Sequence, residues 1–479
     1  MRPSRLLSAA ALLAFLSSAY GQQVRTGTVA QRFEELCANC HGKKLEGAQS
    51  PSGNKVPSLL DDEWVHGGDD ESIAKSIRNG YPEKEMPAWS GALPEQEIRS
   101  FVIYIREQQF HFRKGNIKFE KPADSVAVKS QLHAYQLNTW VGELAEPYGL
   151  AFLDRNRALV TEKKGKVFLI ENGKRAAEPL EGVPTVDILQ QGGMYDVVAH
   201  PQFARNGWIY FAFADPQTNA KDEKVSLTKV IRGKLKGNAL VEQQPIYQAD
   251  LAHYIKAGGV HFGGRIAFDG KGFIYFTVGE RGGKMVAQDL SLPIGKVHRL
   301  HDDGRLPKDN PFAQDAKAVK SIWSYGHRNH QGLAIDPRNG DVYDIEHGPR
   351  GGDELNFVQK GKNYGWPVIT WGMDYNGTAM SESPTKEGME QPVIYWLPSI
   401  APCGMNFYTG SLFPKWKNHL FVASLAAQEL RRLELKDHKV VAQEVLFKDL
   451  GRIRHVIGGP DGAIYVLLPE RIARIAPAT

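Results

Sequence analysis

The chain has only three cysteines in 479 residues, too few for a disulfide framework. It also lacks a long apolar run. The longest, from Leu6 to about Leu16, falls short of the roughly 18 residues needed to cross a bilayer. Nor is there an excess of one charge. Lys and Arg number 59 against 54 Asp and Glu, both signs are interspersed, and the net charge is +5, which leaves no basic stripe for nucleic acid. What is present is ordinary globular composition, 42% hydrophobic and 24% charged. Residues 1–21 place two arginines before the apolar run and end it in small residues, the pattern of a secretory signal peptide cleaved before Gln22. An uncleaved anchor is the alternative. The expected location is periplasmic or secreted, without stable membrane insertion.

Two of the three cysteines stand in "FEELCANCHGKK". Cys37, Cys40 and His41 have the C-x-x-C-H spacing of covalent c-type haem attachment: two thiols for the two vinyl groups and an imidazole for the iron. A thioredoxin-like pair would need a βαβ context, which is missing here. Residues 26–109 alternate helical patterns with loops. Thr28 can cap a helix carrying Val29, Phe33 and Leu36, and further helices are expected over Asp70–Arg78 and Pro94–Gln108. Met86, on the Pro-bounded loop "YPEKEMPAWSG", is the expected sixth iron ligand, with His66 as its rival. Residues 110–130 read as a polar linker. The segment resembles a class I cytochrome c, which implies an all-α domain, one haem c and electron transfer. The resemblance also implies that the Pro57 carbonyl accepts from the axial histidine.

From 131 to 479 the texture becomes β-rich, and one strand–turn–strand theme recurs six times. The copies begin at residues 149, 196, 265, 332, 404 and 455. Six copies predict a six-bladed β-propeller, an all-β domain following the helical one. Polar clusters interrupt the strands. "GGVHFGGR" sets His261 among glycines, and "GHRNHQG" packs Arg328, Asn329 and Gln331 into one turn. "EHGPRGGDE" offers carboxylates and free carbonyls suited to calcium. "GRIRHV" puts Arg452 and Arg454 on one side of a strand, where they want carboxylates or phosphates.

These stretches, with "QGGMYDVVAHPQF", "KGKNYGWP" and "GPDGAIYVL", resemble in order the soluble aldose sugar dehydrogenases of the glucose/sorbosone dehydrogenase family. The resemblance implies pyrroloquinoline quinone and calcium as cofactors, an aldose as substrate and a lactone as product. Position by position it implies His261 as base, with Gln191 and Glu280 beside it, and Arg328 stabilising charge on the quinone. Asn329, Gln331, Ser399, Arg452 and Arg454 become cofactor contacts. The carbonyls of Gly348 and Pro349 become ligands of the quinone's calcium, and Glu354 and Tyr364 ligands of a structural calcium. Ala426 stands where the family usually has a cofactor-binding lysine, and Leu397, beside Trp396, where one branch has an aromatic over the sugar. The expected whole is a sugar oxidase that passes electrons to its own haem and then to a respiratory cytochrome or oxidase. The alternative is an inactive sugar-binding propeller whose cytochrome senses redox state or serves for docking. A calcium-dependent hydrolase or lactonase would give the haem no use. The stretch 372–390 is expected to form the variable wall of the sugar site.

Overall fold

A computed structural model describes residues 28–50, 52–116 and 121–478. The signal-peptide segment lies outside them. Two units divide the chain: one takes in residues up to Asn116 together with Met373–Met380, the other the remainder.

The first unit is mainly helical. α1 (Val29–Leu36) opens on a reciprocal cap: Gln31 N donates to Thr28 Oγ1 while Thr28 N donates to Gln31 Oε1, and Val29 and Phe33 turn into the core. A single turn, α2 (Ala38–His41), follows and stops at Gly42, whose φ of 79° suits glycine. α3 (Asp70–Asn79) is capped by Asp69 and buries Ile73 and Ala74. α4 (Glu95–Asn116) buries Ile98, Phe101, Val102 and Ile105 as one apolar stripe, and Ile103 off that stripe. It runs past the expected end at Gln108 and into the segment read as linker. The reason is lateral: Gln109 Nε2 donates to the Asp61 carbonyl (3.2 Å), and Arg113 pairs with Asp62. Polar composition suggested a linker, but those partners come from a distant loop. A two-residue strand pair, Ala48–Gln49 with Lys55–Val56, departs from the all-α expectation.

The second unit is a ring of six antiparallel sheets. The first two strands of the blades are Pro147–Phe152 and Arg157–Glu162, Met194–Ala199 and Trp208–Thr218, and Gly263–Phe268 and Phe273–Val278. They continue with His330–Ile335 and Val342–Glu346, Pro402–Phe407 and Leu420–Ser424, and His455–Gly458 and Ile464–Leu467. The six copies of the sequence theme fall on these pairs. Neighbouring first strands pack around the ring, so the polar residues that enter them converge on its centre. In the last blade the outer strand is Ala134–Val141, from the start of the unit, bonded to Ile472–Pro477. The short strand Val128–Lys129 flanks it on the other side, so the start of the unit completes the blade formed at its end and closes the ring. Tyr135 and Leu137 are buried completely there.

Candidate active site

His261 sits on the turn that enters the blade beginning at Gly263. Its φ is +57°, an unusual backbone for a residue with a side chain, and four nearby glycines share the left-handed region. The turn is clamped. Arg281 donates from Nη1 to Val260 O and from Nη2 to Gly258 O, both at 2.6 Å, and lies over the Phe262 ring. A Cβ on Gly279 would meet His261 O at 2.1 Å, so glycine is required there. His261 N donates to Gln191 Oε1 (2.9 Å), and Gln191 N to Gly259 O (3.1 Å).

The ring is fixed as well. Nδ1 of His261 is in short hydrogen-bond contact with Glu280 Oε1, while Lys284 N holds Glu280 Oε2 at 2.6 Å. Burial would raise the Glu280 carboxyl, but the His261 hydrogen bond and charge hold it below its ordinary value. Burial lowers His261, with Arg328 adding to the effect and Glu280 opposing it. The group is thus a neutral imidazole at neutral pH. A carboxylate on Nδ1 selects the tautomer with Nε2 unprotonated, which is the form of a base.

Arg328 is tied to the same assembly, because Glu280 N donates to its carbonyl (2.9 Å). Its own N donates to Glu346 Oε2 (2.6 Å), Nη1 reaches His347 O (3.0 Å), and the guanidinium lies 5.1 Å from the Trp366 ring centroid. Asn329 Oδ1 accepts from Gln331 Nε2, and Gln331 Oε1 accepts from the Tyr148 hydroxyl, both at 3.1 Å. Tyr148 lies under two guanidinium groups, those of Arg265 and Arg454. Arg265 and Arg454 also both donate to the Cys403 sulfur.

Arg452 and Arg454 precede the strand that starts at His455, instead of lying within it. Buried Ile453 separates them, and Arg454 N bonds to Leu467 O. Partial burial and then the charge of Arg454 lower Arg452. Arg454 takes a thiol as its hydrogen-bond partner, so positive charge gathers here with little carboxylate to balance it. That is the electrostatic setting an anionic ligand fits.

Gly348 N and Ala401 N donate to the two oxygens of buried Asp353, and Ser399 Oγ donates to Asp353 Oδ2 (2.5 Å). The Ser399 hydroxyl is therefore committed to a carboxylate. Burial pushes Asp353 up to about 6, with Ser399 and the amides opposing. Glu354 faces Asn356 Nδ2, and Tyr364 hydrogen-bonds Phe357 O through its hydroxyl while its ring stacks on His327. Ala426 is exposed, its N–H on Ile400 O. Trp396 is buried.

Several supporting residues escaped the sequence reading. Arg265 is wholly buried against Asp196 (3.6 Å) and donates to Gln331 O (2.7 Å). Its signal was an arginine at the start of an apolar strand. Cys403 had only its oddness as the third cysteine. Arg281 gave no signal, because its targets are carbonyls.

In the helical unit, α1 ends at Cys37 and one turn brings round Cys40 and His41, whose N–H groups both bond to Cys37 O. Positions i, i+3 and i+4 share a face. No cysteine is in a disulfide, and burial pushes the Cys37 thiol up to about 12. Burial lowers His41, giving the neutral imidazole a metal requires. Its Nδ1 is buried without a hydrogen-bond partner, so the Pro57 carbonyl does not accept from it in this structure. Met86 is half-buried and pairs its backbone with Tyr81 in both directions, while the rival His66 stacks on the Tyr81 ring at 3.7 Å. The shared face of Cys37, Cys40 and His41, with its buried neutral imidazole, fits a covalently held haem.

A ring of six blades with a buffered histidine and converging arginines, joined to a c-type haem motif, defines a propeller oxidoreductase with a cytochrome domain. The glucose/sorbosone dehydrogenase family matches residues 144–476, and the chain belongs to that family. Residues 24–105 match the family of subunit III of cbb3-type cytochrome c oxidase. The chain is 40% identical over 333 residues to aldose sugar dehydrogenase YliI of Escherichia coli, covering 68% of this chain and 88% of that protein. A crystal structure of a glucose dehydrogenase aligns with TM-score 0.67 and 38% identity, over 72% of this chain and 99% of the other. The PQQ-bound aldose sugar dehydrogenase of Streptomyces coelicolor aligns with TM-score 0.58 and 26% identity, over 74% and 99%. The chain thus joins a glucose/sorbosone dehydrogenase family propeller to a cytochrome c domain.

Proposed function

We propose that this protein is an exported quinohaemoprotein that oxidises aldoses at the anomeric carbon to lactones and hands the electrons to its own haem. The observation that carries the reading is His261, a neutral base locked between Gln191 and Glu280 and tied through Glu280 to Arg328. Nε2 takes the proton of the anomeric hydroxyl, and Glu280 steadies the imidazolium that results. Arg328 would offset the negative charge gained by the acceptor of that carbon's hydride. Asn329, Gln331, Ser399, Arg452 and Arg454 would contact the anionic cofactor, the two arginines meeting its carboxylates. The carbonyls of Gly348 and Pro349 are offered for calcium. Pyrroloquinoline quinone, when bound with calcium, supplies the two-electron acceptor for the hydride. Cys37 and Cys40 would hold a haem and His41 and Met86 would be its iron ligands, and the haem would supply a one-electron carrier to an external cytochrome or oxidase. The PQQ-bound relative and the family match support the quinone, and the unbalanced arginines support an anion at this place.

The test follows the haem α-band of the haem-loaded protein after addition of calcium, quinone and an aldose. Haem reduction that requires quinone and fails in His261→Ala is the expected result. No reduction across a panel of aldoses would overturn the proposal and favour a sugar binder.

A further inference from the structure

A second cluster lies behind the turn that presents Arg328 and Asn329. His327 and His330 flank those two residues, and both imidazoles are 0% exposed. His330 opens the inner strand of its blade, opposite Glu346 of the next strand; Asp344 lies two residues earlier on the same face. One nitrogen from each histidine and one oxygen of Asp344 lie within 4.8 Å of one another. Glu346 Oε1 is 3.1 Å from His327 Nδ1, and Asp344 Oδ2 is 3.8 Å from it. His330 Nδ1 is in short contact with Asp344 Oδ2.

Part of the cluster is already bonded: His327 meets Glu346 through Nδ1 and Ser324 Oγ through Nε2, and Glu346 accepts from Arg328 N and Asn356 Nδ2, so the unmet demand falls on His330 and Asp344. His330 Nε2 and Asp344 Oδ1 are both buried without a partner, as is Asn356 Oδ1 on the adjoining strand. Buried polar atoms are nearly always paired, so two orphans on one His–Asp pair point to a missing partner. The local charge points the same way. Glu346, Asp344 and Asp353 all act on Glu354; Arg328 offsets Glu346 and Asp353, the two histidines face Asp344 and Glu346, and Lys296 acts on the histidines. Arg328 is turned to His347 O, and Lys296 spends its donors on the carbonyls of Val286, Ala287 and Ile294.

We propose that His327, His330 and Asp344, with Glu346 completing the shell, hold a structural divalent cation of the zinc class behind the Arg328–Asn329 turn. Two imidazoles and carboxylate oxygens suit zinc and its first-row neighbours, whereas calcium takes six to eight oxygens. Four ligands at about 2.0–2.2 Å around a tetrahedral ion stand about 3.3–3.5 Å apart, so the short His330–Asp344 contact must open while the His327–Asp344 separation of 3.8 Å closes slightly. The Tyr364 ring, stacked 4.5 Å from His327, limits how that imidazole can turn. Because the ligands bracket Arg328 and Asn329, the ion fixes the turn that faces the proposed cofactor. Its donors differ from the Gly348 and Pro349 carbonyls and from the Glu354–Tyr364 pair expected for calcium.

The test needs neither sugar nor quinone, so its outcome is independent of the proposed reaction. The haem-loaded full chain is treated with a chelator, desalted and titrated with Co2+. The expected result is a saturable visible d–d absorption ending at one ion per chain, abolished by equimolar Zn2+, with a higher Tm. His330→Gln and Asp344→Asn should lose this signal while the haem spectrum and far-ultraviolet dichroism stay unchanged. No saturable Co2+ absorption in the wild-type chain, or its persistence in folded His330→Gln, would overturn the proposal. If the variants fail to fold, the wild-type titration and its Zn2+ competition decide alone.

Discussion

A histidine works as a base only while neutral, and the surroundings of His261 secure both its charge state and its tautomer. Burial and Arg328 lower its affinity for protons, whereas Glu280 raises it. Turnover should therefore fall with acidification only below the ordinary histidine range near pH 6.5. Glu280→Gln removes the group that favours the imidazolium. Two effects follow: the acid limb of the pH–rate profile moves to lower pH, and kcat drops about 10²–10⁴-fold because the tautomer is no longer enforced. An unchanged limb with normal kcat, measured by quinone-dependent dye reduction, would show that Glu280 has no part in placing the proton. The sequence disclosed His261 through its glycines and Glu280 by position in the family. It could not disclose their hydrogen bond, which depends on two turns 19 residues apart meeting at the end of one blade.

At the scale of elements, the outer strand Ala134–Val141 is what makes the propeller a closed ring. Leu137 on it is wholly buried, in a cluster with Phe421, Leu430, Val466 and Ile475. Leu137→Ala should cost about 2–5 kcal/mol through lost burial and the cavity left behind. Thermal unfolding of the propeller followed by near-ultraviolet dichroism checks this, and a Tm unchanged within a degree would mean that the strand does not hold the ring. The helical unit shows the complementary case. α4 was legible from its apolar stripe, but its end was not. The last turns depend on Asp61 and Asp62, far away in sequence, and nothing local distinguishes them from a charged linker.

At the scale of the molecule, the functional question is how electrons leave. In the proposed reaction a tethered haem would make the first transfer intramolecular, at an effective concentration that a free carrier would not reach. A Cys37→Ala, Cys40→Ala double variant should lose covalent haem yet keep sugar oxidation with an artificial dye. Reduction of an added cytochrome should fall by about tenfold or more, because the tethered carrier's advantage is lost. Undiminished cytochrome reduction by that variant would show that the propeller delivers electrons directly.

The sequence by itself determined the parts: a haem-attachment motif from three residues, six blades from six copies of a theme, and a histidine and arginines set apart in short polar clusters. These are local signals, because thiol spacing, strand alternation and glycine-rich turns act over a few residues. Only the tertiary structure decided which groups meet. It committed Ser399 to Asp353, set Cys403 beneath Arg265 and Arg454, and left Asp344 and His330 with orphaned atoms. Such pairings depend on the ring bringing the inner strands of distant blades to one centre, where burial strengthens each polar contact and makes each missing one costly.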